Sequence, residues 1–249
     1  MLIRHFLCVC LGLHCALITP QAGAGISLSA TRLVFDGEHK EASIKVSNNG
    51  DDLLIQSWID NDAGDAVPFA VTPPLARIQS REQQLLRVIY EGTGMPTDRE
   101  SVVWLNVQEI PQTAKKENTL QLAVRQRIKV FFRPAGLAAK AYLAPTQLRW
   151  QIHEQGRHAT LTISNPGLYH VSMSDVTVRS GSTNELLVDS MMIAPGQSKT
   201  LKLKLASASH YSLLNFSSIN DYGAQDRYTA MLNHDSAISA KPAQSTGEE

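Results

Sequence analysis

Beyond position 15 the 249-residue chain has no cysteine, only 6% of it is aromatic, and its 23 Lys+Arg balance its 23 Asp+Glu. Each shortage excludes something. A formal charge of zero argues against a general nucleic-acid binder. Aromatics this sparse, not interleaved with basic residues, leave no stacking platform for single strands. No G-x-S-x-G elbow, phosphate-binding glycine loop or Cys-His arrangement is present, so no enzyme, cofactor or metal centre is expected. Gly92-Thr93-Gly94 is a lone G-x-G in a loop and says little. A sustained 3.6-residue period is also missing, which removes helical architectures.

What the chain does have begins at its start. Arg4 and His5 precede a short apolar run over residues 6–18, followed by Ala22-Gly23-Ala24, the layout of a secretory signal peptide and too short for a membrane span. A lipoprotein signal at Cys15 is the competing reading, and Gly12-Leu13-His14 fits it poorly. Cleavage after Ala24 removes Cys8, Cys10 and Cys15, one of the 23 Lys+Arg and no acid, leaving 22 − 23 = −1. An exported chain without a thiol must hold together by its cores alone.

After the leader come short alternating runs punctuated by turns such as Asn48-Asn49-Gly50, Asn61-Asp62-Ala63-Gly64, Asn165-Pro166-Gly167 and Ala194-Pro195-Gly196. That rhythm predicts β-sandwiches. Val46-Ser47-Asn48 recurs as Ile163-Ser164-Asn165, and Gln79-Ser80 as Gln197-Ser198, at offsets of 117 and 118 residues. A shared offset close to one immunoglobulin-like domain predicts two in tandem. The division is signal 1–24, first domain 25–138, second domain 139–235, and a tail over 236–249 that shows no apolar pattern and is expected to be disordered.

One stretch resists assignment. Residues 119–134 read TLQLAVRQRIKVFFRP; Leu120, Leu122, Val124, Gln126, Ile128, Val130 and Phe132 share one parity, and Arg125, Arg127, Lys129 and Arg133 the other. The period is that of a strand, yet at about 3.3 Å per residue it spans about 50 Å, beyond an ordinary strand. From the residues alone, the leading apolar row either faces its own core or lies outside it. The run His153-Glu154-Gln155-Gly156-Arg157-His158 is one residue too long for a zinc-protease motif, and Gly156 makes it a turn. In a hairpin His153 and His158 would face one another; solvated flanks are the plainer reading, and metal uptake there stays open.

MPTDRESVVWLNVQEIP (95–111), KVFFRP (129–134) and INDYG (219–223), with ATRLVFDG (30–37) and TPPLARI (72–78), resemble the periplasmic pilus chaperones of the chaperone–usher pathway. The resemblance implies an all-β protein of two immunoglobulin-like sandwiches in an L-shaped, boomerang arrangement. It implies a periplasmic chaperone that lends a strand to pilus subunits and delivers them to an outer-membrane usher, without nucleic acid, cofactor or membrane insertion. By the same resemblance Leu120, Leu122 and Val124 enter the subunit's groove, each worth roughly 1.5–3 kcal/mol when buried. Arg32 and Lys129 grip the subunit's C-terminal carboxylate, and Glu100, Arg133 and Asp221 form a salt-bridge cluster between the domains.

The chain departs from the family in lacking a disulfide late in the second domain and in carrying Gln112 where a small residue or proline is usual; its 112–118 segment is short. A periplasmic sandwich module that binds a ligand or adheres is the alternative. Which subunits are served, and whether the free protein caps itself as a homodimer, the residues leave open.

Overall fold

The computed structural model describes residues 25–112, 122–155, 158–204, 212–233 and 236–244. Among the described residues nine strands form the first unit: β1 (Ile26–Leu28), β2 (Arg32–Asp36), β3 (Glu41–Asn48), β4 (Leu53–Asp60), β5 (Phe69–Thr72), β6 (Leu75–Ile78), β7 (Gln83–Tyr90), β8 (Ser101–Pro111) and β9 (Arg125–Arg133). They make a sheet of order β1-β3-β7-β5 and a second of order β2-β9-β8-β4-β6. Alternation decides the faces: in β4, Leu53, Ile55 and Ile59 point into the core, and in β9, Ile128, Val130 and Phe132 do so. Phe35, Phe69, Tyr90 and Phe132 pack with centroids 4.6 to 6.3 Å apart, the spacing aromatic pairs prefer.

A 3-10 turn (Ala141–Leu143) and a single helical turn, α1 (Ala144–Gln147) with Pro145 at its start, lead into the second unit. Its strands are β10 (Arg149–Gln155), β11 (His158–Ser164), β12 (Val171–Ser180), β13 (Thr183–Ile193), β14 (Ser198–Leu203), β15 (Ser212–Ile219), β16 (Gln225–Leu232) and β17 (Lys241–Pro242). The sheets run β10-β11-β14 and β13-β12-β15-β16-β17. Between them lies a second core around Trp150, Leu161, Ile163, Met173, Ile193, Leu214 and Phe216. Two immunoglobulin-like sandwiches in a boomerang arrangement result, each with its own apolar interior.

The faint sequence echo has a structural cause. Asn48 is buried; its Nδ2 donates to the carbonyls of Asp51 at 2.8 Å, Ile78 at 3.1 Å and Gln79 at 3.1 Å, and its Oδ1 accepts from Gly50 N. Asn165, equally buried, donates to Tyr169 O at 2.8 Å and Ile193 O at 3.2 Å, and accepts from Gly167 N. In each domain one amide ties the end of a core strand to two turns. Buried amides are kept only where their bonds are satisfied, so the same dipeptide returns at the same place.

The tail is a correction. Trp150 and Ile238 exchange both backbone hydrogen bonds, at 2.8 and 2.9 Å, Ala240 is buried, and β17 pairs with β16 at Tyr228 and Thr229. Residues 236–244 therefore belong to the second sandwich. Ile238 and Ala240, two positions apart, close the core beside Trp150; a run this short carries no visible period.

Candidate functional site

β2 and β9 are parallel neighbours with Arg32 opposite Lys129. Both side chains stand on the face turned away from the first core, because Leu33, Ile128 and Val130, which flank them in sequence, face that core. The same row continues across β8 and β4 through Trp104 and Asp60. Lys129 Nζ lies 5.7 Å from the Trp104 ring centroid, and the Arg127 guanidinium 4.3 Å from it. Arg127 donates to Asp60 Oδ1 at 3.0 Å and to Asn61 O at 2.9 Å, and Trp104 Nε1 donates to Asp62 at 2.6 Å. The aromatic ring and its acids hold the basic face in place.

The two cations of the row are desolvated. Burial pushes the Lys129 ammonium below its ordinary range, and the like charge of Arg32 adds to this, with Asp62 opposing. Burial also lowers Arg32, against the pull of Asp221 and Glu100. Arg32 Nη1 donates to Ile219 O of the second domain at 2.9 Å, while its Nε is buried without a partner. Among the described residues no carboxylate lies within ion-pair distance of Lys129. Two adjacent, half-dehydrated cations with spare donors suit an anionic oxygen from outside, since charge-assisted hydrogen bonds strengthen where water is scarce.

Beside them sits the interdomain cluster. Arg133 Nε donates to Glu100 Oε2 at 2.7 Å, and both its terminal nitrogens reach Asp221, each at 2.7 Å. Burial opposes the charge on Arg133, but the bonds to Asp221 and Glu100 outweigh it and raise its pKa. Glu100 is 2% exposed and also accepts from the backbone N of His170 at 2.8 Å, with His170 Nδ1 at 2.9 Å. Glu100 N donates to Leu168 O. The sequence offered no sign of His170, whose partner is 70 residues away, nor of Trp104; only the alternation that exposed the odd basic residues hinted at the face they share.

Upstream of β9 the even-numbered row leaves the core. Ile128 is buried, Val124 is 44% exposed and Leu122 is 72% exposed. The ladder extends one bond past the strand, from Glu109 N to Val124 O at 2.9 Å. Leu120 lies outside the described residues. The β10–β11 hairpin pairs His153 with Thr160 and His158 with Gln155, so the two histidines are not opposite one another. Among the described residues no group of three or more His, Cys, Asp or Glu is placed to hold a metal ion.

Two angled sandwiches, an apolar row that runs out of its own core ahead of β9, and a half-dehydrated cation pair farther along the same segment form the architecture of a chaperone that completes another protein's sheet. Comparison with known proteins agrees. Residues 25–138 match the N-terminal domain of the PapD pili and flagellar-assembly chaperones, and residues 143–230 the C-terminal domain of the PapD pili-assembly chaperones. The chaperone protein LpfB of Salmonella typhimurium is 35% identical over 239 residues, covering 92% of this chain and 99% of the relative. The crystal structure of the YadV chaperone superimposes with a TM-score of 0.74 at 35% identity, over 84% of this chain and 100% of that one. The structure of the Salmonella enterica SafA pilin in complex with the SafB chaperone gives 0.69 at 27% identity, over 83% and 96%. The chain belongs to the PapD-like family of pilus-assembly chaperones, which are periplasmic and work by donor-strand complementation.

Proposed function

We propose that Leu122 and Val124, together with Leu120, are the side chains this chaperone inserts into the open groove of a pilus subunit, and that Arg32 and Lys129 hold the subunit's C-terminal carboxylate. The observation that carries this reading is the exposure of Leu122 and Val124 immediately before a strand whose later residues of the same parity, Ile128, Val130 and Phe132, are core. Such a row invites aggregation unless a partner covers it, and strand addition covers it with main-chain hydrogen bonds and side-chain sockets together. The cations lie in the same strand register, so they position the captured chain end while the apolar row supplies most of the affinity. The Glu100–Arg133–Asp221 cluster supports a fixed angle between the domains, keeping Arg32 tied to Ile219.

The chaperone delivers its subunit to an outer-membrane usher. Residues 1–24 are removed on export, which mass spectrometry of the periplasmic protein would show as a chain beginning at Gly25. A second copy offers the same uncovered row, so the free protein caps itself as a dimer that subunit dissociates; size-exclusion chromatography with and without subunit tests this. The carboxylate anchor is tested with a synthetic peptide of alternating apolar and polar residues, supplied as free acid and as C-terminal amide. The acid should bind at least tenfold more tightly, the difference a charge-assisted pair makes at a dehydrated site. Equal binding of the two forms would remove the anchor role.

A further inference from the structure

Along β8 the inward row runs Val103, Leu105, Val107 and then Glu109, with exposures of 2%, 0%, 0% and 6%. Three core positions are followed by a carboxylate in the same row. Its backbone fixes it there: Glu109 pairs with Ile55 on β4, and its N–H donates to Val124 O at 2.9 Å. A glutamate so enclosed is kept almost only where it is paired. Among the described residues, however, no Lys, Arg or His forms an ion pair with it, and its side chain accepts one hydrogen bond, from Ile26 N to Oε1 at 2.9 Å.

What lies against the carboxylate is Gly25. A Cβ on that residue would stand 2.9 and 3.0 Å from the two carboxylate oxygens, so its backbone passes against them. The same backbone is held in place: Asn49 N donates to Gly25 O at 2.8 Å, Ile26 is 1% exposed, and Gln126 Nε2 donates to Ile26 O at 2.9 Å. Two more acids follow Gly50 in the neighbouring turn, Asp51, exposed, and Asp52, bound by Arg77 and by Ser80 N.

We infer that Glu109 is the receptor for the α-ammonium group of Gly25, so that the first domain gains this ion pair only when the leader is cut off after Ala24. The inference rests on the cleavage proposed above and adds a structural consequence to it. Before the cut the Gly25 nitrogen is a neutral amide and offers the buried acid no charge. In the cut, water adds across the peptide bond; Ala24 leaves as a carboxylate, and the Gly25 nitrogen takes up the proton that acid sheds. An α-amino group titrates at about 7.7–8.0, so it is mostly charged at neutral pH, one bond from the Cα beside Glu109. Capture of a terminal amine by fixed acceptors is a recurring mode of recognition. Here receptor and amine belong to one chain.

The test uses two purified forms of the chain, one beginning at Gly25 and one that keeps Ala24, each as the parent and as Glu109→Gln. Keeping Ala24 should lower the melting temperature of the parent by about 5 °C or more, because a buried charge loses its partner, and that of Glu109→Gln by about 1 °C or less. Followed by NMR on isotope-labelled glycine, the Gly25 amine should titrate above about 8.0 in the parent and in Asp51→Asn, and within about 7.7–8.0 in Glu109→Gln. An Ala24 residue that costs the same with and without Glu109 overturns the pairing. So does an amine in the ordinary range in the parent, a result that needs no variant to fold, and so does a fall to that range in Asp51→Asn. Mass spectrometry of the periplasmic chain separates this from the cleavage itself. A start at another residue overturns the leader reading and the role of processing with it; a start at Gly25 with an ordinary amine overturns the ion pair alone.

Discussion

Leu122 and Val130 share a parity on one extended segment, yet Leu122 is 72% exposed and Val130 is 0% exposed. Truncating each to Ala separates the two uses of the strand. Leu122→Ala removes three carbons already in water, so stability should stay within about 0.5 kcal/mol of the parent, a melting shift of about 2 °C or less. If Leu122 enters a subunit's groove as proposed, those carbons become buried on capture, and at about 0.8 kcal/mol per methylene their loss costs about 2.4 kcal/mol, roughly fiftyfold in subunit affinity. Val130→Ala should do the reverse. Two carbons leave a filled core, and transfer plus cavity costs about 2–3 kcal/mol, while the folded fraction captures subunit as before. The measurements are thermal denaturation by circular dichroism and titration of a strand-deficient subunit. The reasoning fails if Leu122→Ala melts as early as Val130→Ala and keeps its affinity.

Three further outcomes follow from the same geometry. Lys129→Met should raise the melting temperature of the free protein while weakening capture. The folded state holds this lysine below its ordinary 10.5, so unfolding takes up protons, and the parent's deficit should shrink as pH rises toward that value; a variant that melts lower at neutral pH contradicts this. Glu100→Ala, which strands a half-buried Arg133, should cost about 3–5 kcal/mol, whereas Asp221→Asn, at the exposed end of the cluster, should cost about 1 kcal/mol or less; equal losses in denaturant titrations would show the cluster misread. Asn48→Ala and Asn165→Ala should each cost about 2–3 kcal/mol by leaving buried carbonyls unmet, and an effect confined to one domain would break the equivalence of the two knots.

How much was readable in advance depends on the range of the interaction. Alternation along β9 is local, and it separated the even apolar row from the odd basic face while leaving open where the leading apolar residues go. The tandem repeat was legible because a buried asparagine must sit where two turns meet its strand, a requirement each domain repeats. His170 and Trp104 were invisible because their importance lies in partners on other strands: Glu100 for one, Lys129 and Arg127 for the other. Composition misled at Ile238 and Ala240, where a polar run hides two residues that complete a core. The pairing of Arg32 with Lys129 needs the parallel β2–β9 contact, which no periodicity announces; the family resemblance supplied it.

β9 is gripped on both sides, by β2 and by β8, and Ile128, Val130 and Phe132 are locked in the core. A slip by one residue would bury Lys129 and Arg127 and expose Ile128, Val130 and Phe132, so the register is strongly specified. Because the Glu109–Val124 bond continues that ladder, Val124 and Leu122 inherit the core's register. They lie about 16 and 23 Å from Lys129, at about 3.3 Å per residue. A captured strand whose carboxylate rests on the cations is thereby measured from its own end. Adding one residue to that end should force either the carboxylate off the cations or every inserted side chain onto the wrong face. Removing the added residue should restore capture. With the same alternating peptides, a one-residue extension should lose at least tenfold in affinity. An extension that binds as well as the original would mean that the cations and the apolar row act independently, and that the core of the first domain does not set the alignment of the strand it lends.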